Sequence, residues 1–134
     1  MIQYDTRVIG LINIFENVTK AKVKDCFEEE DTLVFIVQEG QVKRAVGPGG
    51  QNIRKLSAMM KRKIKVIEFS GDVERFVINL LYPLRPRTQL RDGALVLKAA
   101  DSREKGQIFG REKTNLKRIQ GIVSKYYKLE IKVE

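Results

Sequence analysis

Two residue types that build many enzymes are nearly missing here: the 134-residue sequence has no histidine and a single cysteine, Cys26. An internal disulfide is impossible, and no zinc constellation can be assembled. General acid–base work would fall to carboxylates, and none is paired where a pocket is expected. Gly106–Thr114 superficially resembles a phosphate loop, but no glycine immediately precedes Lys113, so the spacing fails. No apolar run approaches a membrane span, and the N-terminus lacks a basic start followed by an apolar stretch. These absences argue against an enzyme, a bound cofactor or metal, a small-molecule substrate and a membrane partner. A cytoplasmic protein is expected.

Positive charge is what the sequence has in excess: 26 Lys and Arg against 17 Asp and Glu, a formal net charge of +9. Such a balance favours a polyanionic partner. Its distribution is more informative than its size. Residues 1–31 hold four basic and seven acidic side chains, whereas Lys43–Lys65 holds eight basic and none acidic. Arg103–Lys128 holds eight basic and two acidic, Glu104 and Glu112. Each basic block surrounds a glycine-containing turn, and a merely solvated face would mix the signs more evenly. With 43% hydrophobic residues, the chain can still bury a core, as one domain or two small ones.

Taken in order, Asp5 or Thr6 can cap a first helix that places Val8, Leu11, Ile12, Phe15 and Val18 on one face. Strands are expected at Ala21–Glu28 and Thr32–Gln38. The run Leu33–Val37 is apolar throughout and reads as a central strand covered on both faces. Gln41–Val46 reads as a short helix, followed by Gly47-Pro48-Gly49-Gly50. A second helix to about Met60 buries Ile53, Leu56 and Met60, and a strand follows at Lys63–Phe69. Gly71-Asp72 opens another helix, which Pro83 and Pro86 end. Asp92-Gly93 joins strands Thr88–Arg91 and Ala94–Ala100 as a hairpin. A short helix Arg103–Phe109 leads to Gly110-Arg111-Glu112-Lys113. A long helix to about Tyr126 and a strand Leu129–Val133 complete the chain. Of Tyr126 and Tyr127, at least one is expected in the core.

The order helix, strand, strand, short helix, glycine turn, long helix, strand is thus written twice, which implies an α+β protein of two small tandem domains, 1–70 and 71–134. At an offset of 63, Gly47 meets Gly110, Asn52 meets Asn115, Ile53 meets Leu116 and Arg54 meets Lys117. The pattern resembles the KH domain, in the type II arrangement where the extra helix and strand precede the core. Each copy is then expected to be a three-stranded mixed sheet covered by three helices. The tandem pair resembles the KH portion of the NusA transcription factors, and in extent the stand-alone archaeal NusA-like termination family. The bacterial members also carry a polymerase-binding region and an S1 domain, neither seen in this sequence.

In KH domains the glycine turn clamps the backbone of about four unpaired nucleotides. That use assigns the first copy's RNA contacts to Lys43, Arg44, Val46, Gly47, Pro48, Gly49, Gly50, Gln51, Asn52, Ile53, Arg54, Lys55, Lys63 and Lys65. Free amides at the turn and at the start of the next helix would hold phosphate oxygens. Val42, Val46, Ile53, Ile64 and Val66 are candidates for an apolar floor under the bases, with ordinary core as the competing role. In the second copy Gly110, Arg111, Lys113, Asn115, Lys117 and Arg118 are the weaker counterparts. Glu112 would repel a phosphate there while Arg111 and Lys113 attract one. By the resemblance, the chain binds single-stranded RNA of nascent transcripts and modulates pausing or termination, with RNA polymerase a candidate partner. An rRNA-binding assembly or ribosome-associated KH protein is the alternative.

Overall fold

The first helix, α1 (Thr6–Thr19), turns Phe15 and Thr19 inward, with Val8, Leu11, Ile12 and Val18 packed beside them. This is the stripe its 3.6-residue spacing predicts. It stops because Lys20 takes a positive φ of 63° and the Thr19 hydroxyl donates to the Phe15 carbonyl at 2.8 Å. The computed structural model describes residues 6–134, so the expected cap at Asp5 lies outside the described residues.

The chain continues as β1 (Val23–Glu29), β2 (Thr32–Val37), α2 (Val42–Val46), a single 3-10 turn (Pro48–Gly50), α3 (Gln51–Met60) and β3 (Lys63–Glu68). Strand β2 lies between the other two, antiparallel to β1 and parallel to β3. The expected double coverage of this strand is present: every residue from Leu33 to Val37 is buried. Leu33, Phe35 and Val37 enter the core with Phe15, Ala45 and Leu56, and the Phe15 and Phe35 rings stack at 4.2 Å. Each fully buried phenylalanine contributes roughly 1.5–3 kcal/mol relative to exposure.

A second set of elements repeats this topology: α4 (Val73–Leu81), β4 (Arg87–Arg91), β5 (Ala94–Lys98), α5 (Ser102–Phe109), a 3-10 turn (Arg111–Lys113), α6 (Thr114–Val123) and β6 (Glu130–Val133). Strand β5 is central, antiparallel to β4 and parallel to β6. Asp72 caps α4 by accepting from the Glu74 amide at 3.0 Å, and Asp101 caps α5 by accepting from Glu104 at 2.8 Å. The chain divides into two compact units, one ending at Gly71 and the other spanning Asp72–Glu134.

Several element ends move from their sequence-based positions. Ala21 and Lys22 precede β1, and β5 stops at Lys98 rather than Ala100. The largest change is in α6, which ends at Val123 instead of Tyr126. Lys125 and Tyr126 donate three residues back, to Ile122 and Val123, so the chain tightens into turns before β6. Gln120 holds this connection: its side chain donates to the Leu129 carbonyl at 3.0 Å and accepts from the Ile131 amide at 2.8 Å. Tyr126 and Tyr127 both pack against Phe76, with ring centroids 6.0 and 6.4 Å away. Gly121 sits exposed within α6 without interrupting it.

Candidate nucleic-acid interface

The turn after α2 is built around three positive-φ glycines. Gly47 has φ 77° and ψ 166°, a region open essentially only to glycine, while Gly49 and Gly50 are left-handed. A second constraint falls on Gly47. A Cβ there would stand 2.9 Å from the Asn52 side chain. Asn52 cannot retreat without loss, because its Nδ2 donates to the Arg44 carbonyl at 3.0 Å and so ties α3 to the end of α2.

The second turn has the same backbone. Gly110 has φ 71° and ψ 175°, and its Cβ would meet Asn115 at 2.7 Å. Asn115 Nδ2 donates to the Ile108 carbonyl at 3.0 Å, repeating the brace between α5 and α6. Glu112 (φ 55°, ψ 32°) and Lys113 (φ 61°, ψ 21°) occupy the left-handed positions held by Gly49 and Gly50 in the first unit. An L-residue there costs roughly 1–2 kcal/mol. The geometry is therefore retained although the sequence no longer favours it.

The supply of free amides is smaller than the sequence suggests. The Gly47 N–H donates to the Lys43 carbonyl, the Gly50 N–H to Gly47 and the Gln51 N–H to Pro48. Proline has no N–H to offer. Of the turn's own amides, these bonds leave over that of Gly49. Arg54 is partly committed too, since its guanidinium donates to the Gly49 carbonyl. It closes the turn from the α3 side.

Beside the turn lies an open groove of about 500 Å³, lined by Val42, Lys43, Val46, Gly47 and Pro48 and almost wholly apolar. Of the five candidate floor residues, Val42 and Val46 line it. Ile64 and Val66 pack against the core instead, and Ile53 is half-buried on α3. Those three do not line this groove, and Val42 packs against the same core as Ile64 and Val66 while also lining it. Lys43 and Lys55 are exposed, without an ion-pair partner among the described residues. Gln51 is exposed at the start of α3. Arg44 reaches the Lys20 carbonyl at 3.5 Å, and Lys63 pairs with Asp31 at 3.7 Å. Lys65 is half-buried on β3. The structure thus brings Lys43, Val46 and the turn together at one groove, with Arg54 closing the turn from α3, while Lys63 lies on β3 beside the β1–β2 hairpin.

In the second unit Arg111 and Lys113 are exposed on the turn, with the Lys113 ammonium 5.9 Å from the Phe109 ring centre. Lys117 is exposed on α6, and Arg118 donates to Asn115 Oδ1 at 3.0 Å. What sequence reasoning missed is the bracing role of the two asparagines. The signal was their matched position five residues beyond each leading glycine.

Burial and then the neighbouring Asp25 carboxylate push the Cys26 thiol up to about 12. It is an unreactive core residue at neutral pH. Among the described residues no cluster of His, Cys, Asp and Glu could hold a metal ion, and no helix is long and apolar enough to cross a membrane.

A sheet ordered β1-β2-β3 with a positive-φ glycine turn between paired helices defines a KH domain, and the chain carries that α+β fold twice. Residues 12–76 match the KH domain family. The chain is similar to proteins named "Probable transcription termination protein NusA". The one from Methanococcus vannielii is 35% identical over 83 residues, 62% of this chain and 48% of that protein. The one from Methanocaldococcus jannaschii is 28% identical over 138 residues, 98% of this chain and 75% of that protein. The aligned stretch therefore spans about half the length of the first and three quarters of the second. A crystal structure of the protein APE1850 superposes with a TM-score of 0.73 at 28% identity, covering 98% of this chain and all of that one.

Proposed function

We propose that this chain binds single-stranded RNA through the first glycine turn and its groove, and acts on nascent transcripts as a NusA-like termination or antitermination factor. The observation that carries the RNA reading is the glycine-rich Gly47–Gly50 turn at an apolar groove that the exposed Lys43 also lines, with Arg54 closing the turn from α3. One phosphate approaches the Gly49 amide and the start of α3, Lys43 and Lys55 neutralise its neighbours, and bases lie over Val42 and Val46. Lys63, Lys65 and Arg44 contribute longer-range attraction. The transcription reading rests on the names of the relatives, and RNA polymerase is the partner that this reading would require.

Replacing Pro48 and Gly49 by aspartate tests the clamp. Both positions are exposed, a Cβ at Gly49 meets open space, and the second turn already carries Glu112 at the Gly49 position. The variant should therefore fold, while its two carboxylates face the phosphates. Affinity for an unstructured oligoribonucleotide is expected to fall about 100-fold, with circular dichroism unchanged. A folded variant that binds as tightly as the parent would sink the assignment. Crosslinking in cells, with the bound transcripts identified, separates nascent RNA from rRNA. Recovery of RNA polymerase rather than ribosomal subunits checks the process.

A further inference from the structure

The two sheets are related by their hairpins: Cys26 lies opposite Phe35 in the first, and Thr88 opposite Leu97 in the second. In that alignment the buried pair Asp25 and Ile36 corresponds to Arg87 and Lys98. Two cations directly opposite on neighbouring strands repel and weaken the pairing. Neither has an ion-pair or hydrogen-bond partner among the described residues. With Thr88 and Gln89 they line a polar groove of about 280 Å³ along the edge strand β4.

The segment entering β4 adds an aromatic. Tyr82 is 61% exposed, the only aromatic ring among the large exposed hydrophobics of the described residues. The Arg85 guanidinium lies 5.6 Å from its centre. A bare ring followed within five residues by Arg85 and Arg87 is the composition of a single-strand platform, where a base stacks and cations follow the backbone. An acidic protein partner would use the cations but gives no reason for the exposed ring.

We propose that Tyr82, Arg85, Arg87 and Lys98 form a second RNA-contacting surface, separate from the glycine turns, which stacks a base on Tyr82 and holds phosphates at Arg87 and Lys98. This rests on the single-stranded RNA reading above. It predicts a longer footprint than one KH turn occupies. Cations on an edge strand also discourage edge-to-edge aggregation, but that role leaves RNA affinity unchanged.

The test uses the full chain with oligouridylates of about 5 and about 15 nucleotides. Tyr82→Ala should weaken binding of the longer RNA about tenfold. The double variant Arg87→Gln/Lys98→Gln should lower its salt slope by about 1.4, two phosphates at about 0.7 each. Neither should alter binding of the short RNA, and photo-crosslinks from the longer one should reach Tyr82. Unchanged affinity and slope for the long RNA in both folded variants would overturn the surface while leaving the clamp intact. Loss of an acidic protein from pull-downs with RNA binding unchanged would overturn it as well. If instead the Pro48→Asp/Gly49→Asp chain binds the short RNA normally, the clamp reading fails and the surface is judged on Tyr82 alone.

Discussion

The two glycine turns share a backbone and differ in almost every side chain. Gly47 and Gly110 sit within about 10° of one another in both angles, at 77°/166° and 71°/175°. The next positions diverge from Pro48-Gly49-Gly50 to Arg111-Glu112-Lys113. The turn is thus fixed by two things only: a glycine where the backbone demands one, and an asparagine that ties the following helix to the preceding one. The other glycines of the first turn are not needed for shape, since Glu112 and Lys113 adopt the same left-handed angles. They spare the roughly 1–2 kcal/mol that an L-residue costs at each position, and they leave the surface bare. The comparison therefore separates residues that make the turn from residues that set what its surface presents.

Breaking the shared part should have the largest effect. Gly47→Ala and Gly110→Ala each force an alanine into a glycine-only region and against an asparagine, at a cost of about 3 kcal/mol of stability. Chemical denaturation should show it in both variants. The contacts also predict an asymmetry. At Gly47 the nearest atoms are Cγ and Nδ2 of Asn52, so Asn52→Ala should recover part of the Gly47→Ala loss. At Gly110 they are the Cβ and backbone of Asn115, so Asn115→Ala should recover nothing. Equal rescue in both units would mean that the clash is not the cause.

Exchanging the variable part should change binding more than folding. A first turn carrying Pro48→Arg, Gly49→Glu and Gly50→Lys is expected to remain folded, because Arg54 Nη1, the nearest atom to a Cβ at Gly50, is the end of a flexible chain. Its affinity for short single-stranded RNA should drop about tenfold, because the introduced carboxylate repels phosphate and the new side chains cover the backbone. The reverse exchange, Arg111→Pro, Glu112→Gly and Lys113→Gly, should raise the second unit's share of binding. Fluorescence anisotropy with a short RNA reads both directions. If the exchanges leave affinity where it was, bareness of the turn is not what recruits the strand.

Much of this comparison could be read from residue order alone. The fivefold apolar run Leu33–Val37 forces a central strand, and Asp92-Gly93 forces a hairpin, because few other structures satisfy those residues. The offset of 63 between Gly47 and Gly110 locates both turns. What could not be read were interactions decided by atoms far apart in sequence. The amide of Gly50 is consumed by Gly47, and Asn52 is spent on Arg44. Ile64 and Val66 alternate with lysines, and both pack against the core, as Val42 does, but only Val42 of the three also lines the groove beside the turn. The early end of α6 depends on Gln120 reaching across to Leu129 and Ile131, a contact with no periodic signature.

The smallest expected difference lies in the sheets. Cys26 occupies the hairpin position that Thr88 fills in the second unit, so at this position the first core holds a buried thiol where the second has a hydroxyl. Folded, the thiol is raised from 9.0 to about 12. Above about pH 9 the unfolded chain releases this proton while the native chain keeps it, and the difference favours unfolding. The thiol's contribution is therefore constant below pH 9 and declines as pH rises toward 12. The slope is at most about 1.4 kcal/mol per pH unit, so the loss by pH 9.5 is somewhat under 1 kcal/mol. Other groups also titrate there, and they cancel when the parent is compared with Cys26→Ala. The alanine variant forfeits some burial at neutral pH, and that deficit should shrink by the same amount between pH 7.5 and 9.5. Denaturant midpoints at the two pH values measure it. A deficit independent of pH would mean that solvent reaches the thiol through β1, and native-state alkylation at pH 8 would then be fast rather than slow.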